Sequence, residues 1–209
     1  MKVSMLVVVA VSFFLTASAQ QIYNDGPING QETGWPINFG LFVGDSFTVS
    51  GGTSSVNGIS FGAWLFPGDV LQSVEVLIES DPLGGTIYFD QDLSFTASGC
   101  ESHGGFNVCT ENAMFNGPTL NNGTYWLILQ NASVPSGDPV YWDNNGGVGC
   151  TSPGCPSQTL VPEGTIPAES FTVLGSPVQS TTPESTGIVL FGTGAAACIA
   201  TLRRRYLGR

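Results

Sequence analysis

Basic residues are missing from most of this chain. Residues 20–182 contain no lysine and no arginine, although they carry 15 of the 16 acidic residues in a sequence of 209. A surface without fixed positive charge repels phosphates and anionic lipid head groups, which argues against nucleic-acid binding and electrostatic membrane docking. The carboxylates of this region have no lysine or arginine to pair with. Each must be solvated, hydrogen-bonded or bound to a divalent cation.

Catalytic signatures are also scarce. His103 is the only histidine, it lies in a glycine-rich stretch that we expect to be an exposed turn, and no Gly-x-Ser-x-Gly motif accompanies it. The acidic residues are scattered over turns, so their spacing selects no particular pair for glycoside hydrolysis. We predict that the protein is not an enzyme. A secreted glycoside hydrolase that uses two of the carboxylates is the alternative.

Helical periodicity is nearly absent between the two ends, and short runs of alternating apolar and polar residues take its place. In residues 73–79, valine and isoleucine occupy one face and glutamate the other, which is typical of a half-buried strand. Further runs of this kind cover residues 45–49, 56–66, 85–90, 106–110, 124–130, 139–143 and 169–174. Glycine and proline turns separate them, and no fixed repeat suggests a β-solenoid. The pattern predicts an all-β, antiparallel β-sandwich of jelly-roll type.

The N-terminus has the composition of a secretory signal. Residues 1–19 combine Lys2, an apolar stretch at 5–15 and the small-residue site Ala17-Ser18-Ala19. An uncleaved anchor is the alternative, but the short apolar stretch favours cleavage after Ala19. We therefore predict that the protein is exported.

The C-terminus has three parts in a fixed order. A polar lead at 182–186 is followed by an uncharged run at 187–202 and then by an arginine cluster. As a helix, the 16-residue run would be roughly 24 Å long, which is short for a hydrocarbon core of about 30 Å. A buried core helix would show polar residues at helical spacing, whereas only two threonines interrupt this run. Arginines collect on the cytoplasmic side of a span, so we predict a single transmembrane helix at 187–202 with the domain outside the cytoplasm.

This arrangement resembles the PEP-CTERM sorting signal of bacterial envelope proteins. The residues that carry the resemblance are Pro183, Glu184, Ser185, Arg203, Arg204 and Arg205. Ser185 stands where the family's lead has a second proline, and the match covers about the last 28 residues. The resemblance implies recognition by an exosortase, a transpeptidase-like membrane enzyme that cuts near the lead and delivers proteins to the cell surface or to extracellular polysaccharide.

The region between the two signals is long enough for one domain. We predict a signal peptide at 1–19, a sandwich domain at 20–174, a stalk rich in proline, serine and threonine at 175–182, and the sorting segment at 183–209. We expect 144–168 to form a long surface loop. The segments 23–30, 64–69, 123–132 and 139–144 are similar to uncharacterised bacterial proteins that carry the same C-terminal signal. That similarity implies a shared surface module but no known activity.

The cysteines agree with export. Cys100, Cys109, Cys150 and Cys155 belong to the exported part, whereas Cys198 lies in the apolar C-terminal run. Four cysteines allow three disulfide connectivities. We favour Cys100 with Cys109 and Cys150 with Cys155, because each pair brackets a glycine-rich turn. A four-cysteine zinc site is the alternative, although the spacing of the first pair does not fit one.

Two kinds of binding residue are present. Trp35 and Tyr141 are candidates for stacking on the apolar faces of sugar rings, whereas strand alternation favours core packing for Trp64 and Trp126. If all four tryptophans pack in the core or in turns, no such site exists. A weaker pattern places Asp138, Asp143 and Asn144 at a strand end as oxygen ligands for calcium.

Taken together, these patterns predict a non-catalytic protein of the cell surface or extracellular matrix that binds extracellular polysaccharide. The expected partners are an exosortase-type enzyme, the membrane through the C-terminal helix, and the polysaccharide, with no nucleic acid. A purely structural matrix component is the further alternative.

Overall fold

A computed structural model describes residues 19–30, 33–162 and 164–178, which belong to one compact unit. Most of the predicted signal peptide, the six sorting residues, Cys198 and the run at 187–202 lie outside these residues. Within the described ranges, no helix is long and apolar enough to span a membrane.

Fourteen strands form in the described residues, in two antiparallel sheets. The strands are β1 (Gln20–Asn24), β2 (Gly34–Pro36), β3 (Phe42–Val49), β4 (Ser54–Leu65), β5 (Ser73–Glu79), β6 (Ile87–Leu93), β7 (Thr96–His103), β8 (Phe106–Met114), β9 (Thr119–Leu120), β10 (Gly123–Ser133), β11 (Tyr141–Asp143), β12 (Thr159–Val161), β13 (Gly164–Ile166) and β14 (Phe171–Pro177). The eight-stranded sheet follows the order β1-β14-β4-β11-β2. In the same sheet, β8 and β9 also pair with β4, and β7 pairs with β8. The other follows β13-β12-β3-β10-β5-β6.

A single hydrophobic core fills the space between the two sheets. On β3, Val43, Phe47 and Val49 share the inner face and are buried, because alternate residues of a strand point to the same side. Their counterparts on the eight-stranded sheet include Trp142, which is fully buried and contacts the ring of Phe171 with centroids 5.7 Å apart. Alternation along the strands is therefore the main reason that this sequence forms a sandwich.

The predicted fold class, a jelly-roll-like sandwich with a C-terminal transmembrane helix, is wrong as it was stated for the residues that the structure describes. The predicted helix at 187–202 lies outside them. The described residues form antiparallel sheets without any helix. The strand order is not that of a jelly roll either, since β5 pairs with β6 and β7 pairs with β8 inside single sheets. Local turns explain this: Ser80 N donates to the carbonyl of Thr86 at 3.0 Å, and two glycines with positive φ join β7 to β8.

Two predicted boundaries also move. The expected loop at 144–168 contains both strands of a short β12–β13 hairpin, and β12 pairs with β3 through Thr159 and Asp45. The last strand continues through Pro177, past the predicted start of the stalk, and it stays paired with β4 across a bulge at Asn57 of β4. Three-residue strands have too little periodicity to be recognised in a sequence.

The predicted disulfide pairs are confirmed. Cys100 bonds to Cys109 with Cα atoms 4.0 Å apart, and Cys150 bonds to Cys155 with Cα atoms 5.7 Å apart. The first pair depends on a bulge in β7, where the register shifts and two residues stand opposite Cys109. Gly99 supplies the positive φ of 58° that this bulge requires.

Candidate functional site

The outer face of the eight-stranded sheet carries a group of four half-buried rings, which we call the outer aromatic patch. It consists of Trp64, Phe66, Phe106 and Tyr141. Phe106 is central, because its ring centroid lies 5.7 Å from that of Trp64, 4.8 Å from that of Phe66 and 5.9 Å from that of Tyr141. Four rings therefore form one continuous surface.

Strand register brings the patch together. Tyr141 of β11 stands opposite Trp64 of β4, so the two side chains share a face. Their chain neighbours Ala63 and Trp142 are also paired, and both are fully buried on the inner face. Phe106 is the first residue of β8, which also pairs with β4. The patch thus spans three adjacent strands.

The two predicted sugar-stacking residues lie on opposite faces of this sheet. Trp35 pairs with the inward-facing Trp142 and packs, half-buried, against the core, so it does not join Tyr141. Trp64 was expected in the core but lies half-buried on the outer face. Trp126, also expected in the core, is half-buried as well, while its neighbours Tyr125 and Leu127 are buried.

Asp143 is a fully buried carboxylate with a complete set of partners. Its Oδ1 accepts a hydrogen bond from Trp64 Nε1 at 2.7 Å. Its Oδ2 accepts from Ser170 Oγ at 3.0 Å and from Asn29 N at 3.2 Å. The aspartate therefore orients one ring of the patch and holds the segment around Asn29 against the sheet. Gly62 allows this close approach, since a Cβ there would lie 2.6 Å from Asp143 Cβ.

The residues predicted to bind calcium do not converge. Asp143 is the last residue of β11, and both of its carboxylate oxygens accept hydrogen bonds from protein donors. Asp138 precedes that strand, and its backbone carbonyl accepts a hydrogen bond from the Asn38 side chain at 3.0 Å. Asn144 is buried and donates to the carbonyl of Pro167 at 3.2 Å. Both residues next to the strand end therefore have structural roles.

A second group of carboxylates lies inside the sandwich. Asp25, Asp45 and Glu169 are fully buried, and we call them the interior carboxylate cluster. Tyr23 donates to Asp25 Oδ1 at 3.1 Å, and Thr159 donates to Asp45 Oδ2 at 2.7 Å. Burial raises the pKa of Asp25 to about 6 and the pKa values of Asp45 and Glu169 well above their usual range, and the mutual repulsion of the carboxylates adds to the rise for those two.

Other metal ligands and catalytic groups are few in the described part of the chain. Among these residues, Asp25, Cys150 and Cys155 form the one trio of metal-ligating side chains whose ligand atoms all lie within 4.8 Å, and both sulfurs are held in the disulfide. His103 is half-buried instead of fully exposed, and its ring lies 3.7 Å from the Glu101 carboxylate. Comparison with known protein families, with curated proteins and with solved structures finds no match for this chain.

Proposed function

We propose that this chain is a non-catalytic, exported module of the cell surface or extracellular matrix that binds polysaccharide through the outer aromatic patch. The observation that carries the proposal is the patch itself, four half-buried rings on one sheet face. Sugar rings present apolar C–H faces that stack on aromatic rings, and this contact needs no basic residue. A domain without lysine or arginine is compatible with a neutral polysaccharide.

Polar groups beside the patch suit such a ligand. The turn after Phe66 is closed by a hydrogen bond of 3.0 Å from Asp69 N to the Phe66 carbonyl. Asp69 Oδ2 in turn accepts a hydrogen bond from the exposed Ser136 hydroxyl at 2.7 Å. The carboxylate of this turn, which follows one ring of the patch, would give the sugar hydroxyls an acceptor.

Loss of the Tyr141 ring should weaken polysaccharide binding about fivefold to tenfold, as expected for one aromatic contact of roughly 1 kcal/mol. The measurement is a glycan array with the purified full-length protein, with and without chelator. Tyr88→Ala is the matched control, because Tyr88 is an exposed tyrosine of the six-stranded sheet. Trp35→Ala tests the inner-face tryptophan and should leave binding unchanged.

Three outcomes would overturn this proposal. If wild type binds no glycan on a broad array, a purely structural matrix component is favoured. If wild type and Tyr141→Ala bind equally, the ligand binds elsewhere on the protein. Cleavage of a bound glycan that is abolished by one Asp→Asn or Glu→Gln change would make the protein a glycoside hydrolase.

The terminal signals supply the proposed location. We propose that residues 183–209 direct the exported domain to an exosortase-type enzyme and retain it at the membrane until processing. Two disulfides suit an oxidising, exported environment. Deletion of 183–209 should release the protein into the periplasm or medium, as measured by fractionation and immunoblotting. A truncated protein that stays in the membrane fraction would contradict this location.

A further inference from the structure

Five buried oxygen atoms without a hydrogen-bond partner occur among the residues of one interior region. They are Asp25 Oδ2, Asp45 Oδ1, both carboxylate oxygens of Glu169, and Ser157 Oγ. Four of the five belong to the interior carboxylate cluster, whose members are fully buried. Buried polar atoms normally have a partner, so five exceptions in one region point to a bound ligand there.

Direct contacts show that these groups are neighbours. Glu169 N donates a hydrogen bond of 2.8 Å to Asp45 Oδ2, which places the two residues side by side. Ser157 N donates to Asp25 Oδ1 at 3.4 Å, and the charge of Asp25 is near enough to add to the rise that burial causes in the pKa values of Asp45 and Glu169. The cluster therefore joins the end of β1, the middle of β3 and the bridge that precedes β14.

Burial of three carboxylates without a counter-charge is costly. Each ion removed from water costs several kcal/mol unless a partner compensates, and proteins usually supply an arginine or a lysine. No such residue exists between positions 20 and 182. The charge must therefore be neutralised by protons or by a metal ion.

We propose that Asp25, Asp45 and Glu169 bind one hard divalent cation of the size of calcium, with the Ser157 hydroxyl as a further ligand. Calcium takes six to eight oxygen ligands at about 2.3–2.6 Å in flexible geometry, and the four carboxylate oxygens without partners are ligands of this type. Magnesium fits less well, because it demands a near-ideal octahedron and retains its water. Zinc prefers nitrogen and sulfur, and the two nearby sulfurs are closed in a disulfide.

The ion should also draw the ligands together. The ligand atoms of the three carboxylates do not all lie within 4.8 Å of one another. Rotation about side-chain bonds would allow them to close around an ion, whose charge would cancel two of the three negative charges. This inference does not depend on polysaccharide binding.

Calcium titration of the chelator-treated, full-length protein tests the proposal. By isothermal titration calorimetry at pH 7.5, we expect one calcium per chain and a higher Tm, with at least a tenfold weaker response to magnesium. Acid should abolish the effect, because protons compete for the same carboxylates. Terbium should bind in place of calcium, and its emission should be excited through the ring of Tyr23, which is hydrogen-bonded to Asp25.

Glu169→Gln is the decisive variant. Neither Glu169 carboxylate oxygen has a protein partner, so the change removes no hydrogen bond and the protein should still fold. Its calcium affinity should fall at least tenfold, whereas Asp138→Asn, a change outside the cluster, should bind like wild type. The proposal is overturned if wild type shows no calcium response, or if Glu169→Gln binds calcium as tightly as wild type does.

Discussion

Replacing Asp143 with alanine should lower the free energy of unfolding by about 3 to 5 kcal/mol. The carboxylate is fully buried and accepts hydrogen bonds from the Trp64 indole, the Ser170 hydroxyl and the Asn29 amide. Alanine leaves three donors without an acceptor in a site closed to water. A loss of this size is a large fraction of the roughly 5 to 15 kcal/mol that stabilises an ordinary domain.

Urea unfolding of a graded series would measure this effect. Asp143→Asn keeps one acceptor oxygen, so we expect a smaller loss of about 1 to 3 kcal/mol. Asp138→Ala is the matched control and should change stability by less than about 0.5 kcal/mol, because Asp138 is only half-buried beside the same strand. An Asp143→Ala protein that is as stable as Asp138→Ala would contradict the structural role given to this carboxylate.

Glu111→Gln should stabilise the protein by about 2 to 4 kcal/mol at pH 8 and hardly at all at pH 4. Glu111 is 1% exposed, and burial alone raises the pKa of its carboxyl to about 7. In the unfolded chain a glutamate ionises near its usual value of 4.5. The protonated side chain therefore favours folding fully below about pH 4.5, and that contribution is lost as the pH rises through about 7. Glutamine removes the cost of a buried charge at high pH.

Unfolding midpoints of wild type and Glu111→Gln, measured in chelator between pH 4 and pH 8, provide the test. The two proteins should be equally stable at the acidic end and should diverge as the pH rises. Asp92→Asn is the control, because Asp92 is exposed and its substitution should not create this divergence. A difference that is independent of pH would show that Glu111 does not titrate as its burial implies.

Local pattern was sufficient for much of the fold. The alternation in Ser73–Glu79 predicts β5 with the bounds that the structure has, and the local cysteine pairs follow from spacing. Strand β7 was missed because nearly all of its residues are exposed, so its sequence contains no apolar face. Sheet order could not be predicted, since it depends on pairings between distant strands such as β1 and β14.

The candidate sites were even harder to predict from the sequence than the sheet order, because they form only through pairings between distant strands. Tyr141 was identified, but Trp64 and Phe106 joined it only through the register of β4 with β11 and β8. One signal for the interior carboxylate cluster was available, because Asp45 occupies the same face of its strand as the core residues Val43 and Phe47. A charged residue at a core position of a strand indicates a buried functional or structural group.

Polysaccharide binding through the outer aromatic patch is tested most directly with Phe106, whose ring contacts the other three rings. The measurement is the equilibrium affinity of the purified protein for extracellular polysaccharide, determined by co-sedimentation for wild type, Phe106→Ala and the control Tyr88→Ala. Wild type and Tyr88→Ala should bind equally, and Phe106→Ala should bind at least tenfold more weakly. Binding at this patch would be contradicted if Phe106→Ala and wild type bind the polysaccharide equally, or if wild type does not co-sediment with it.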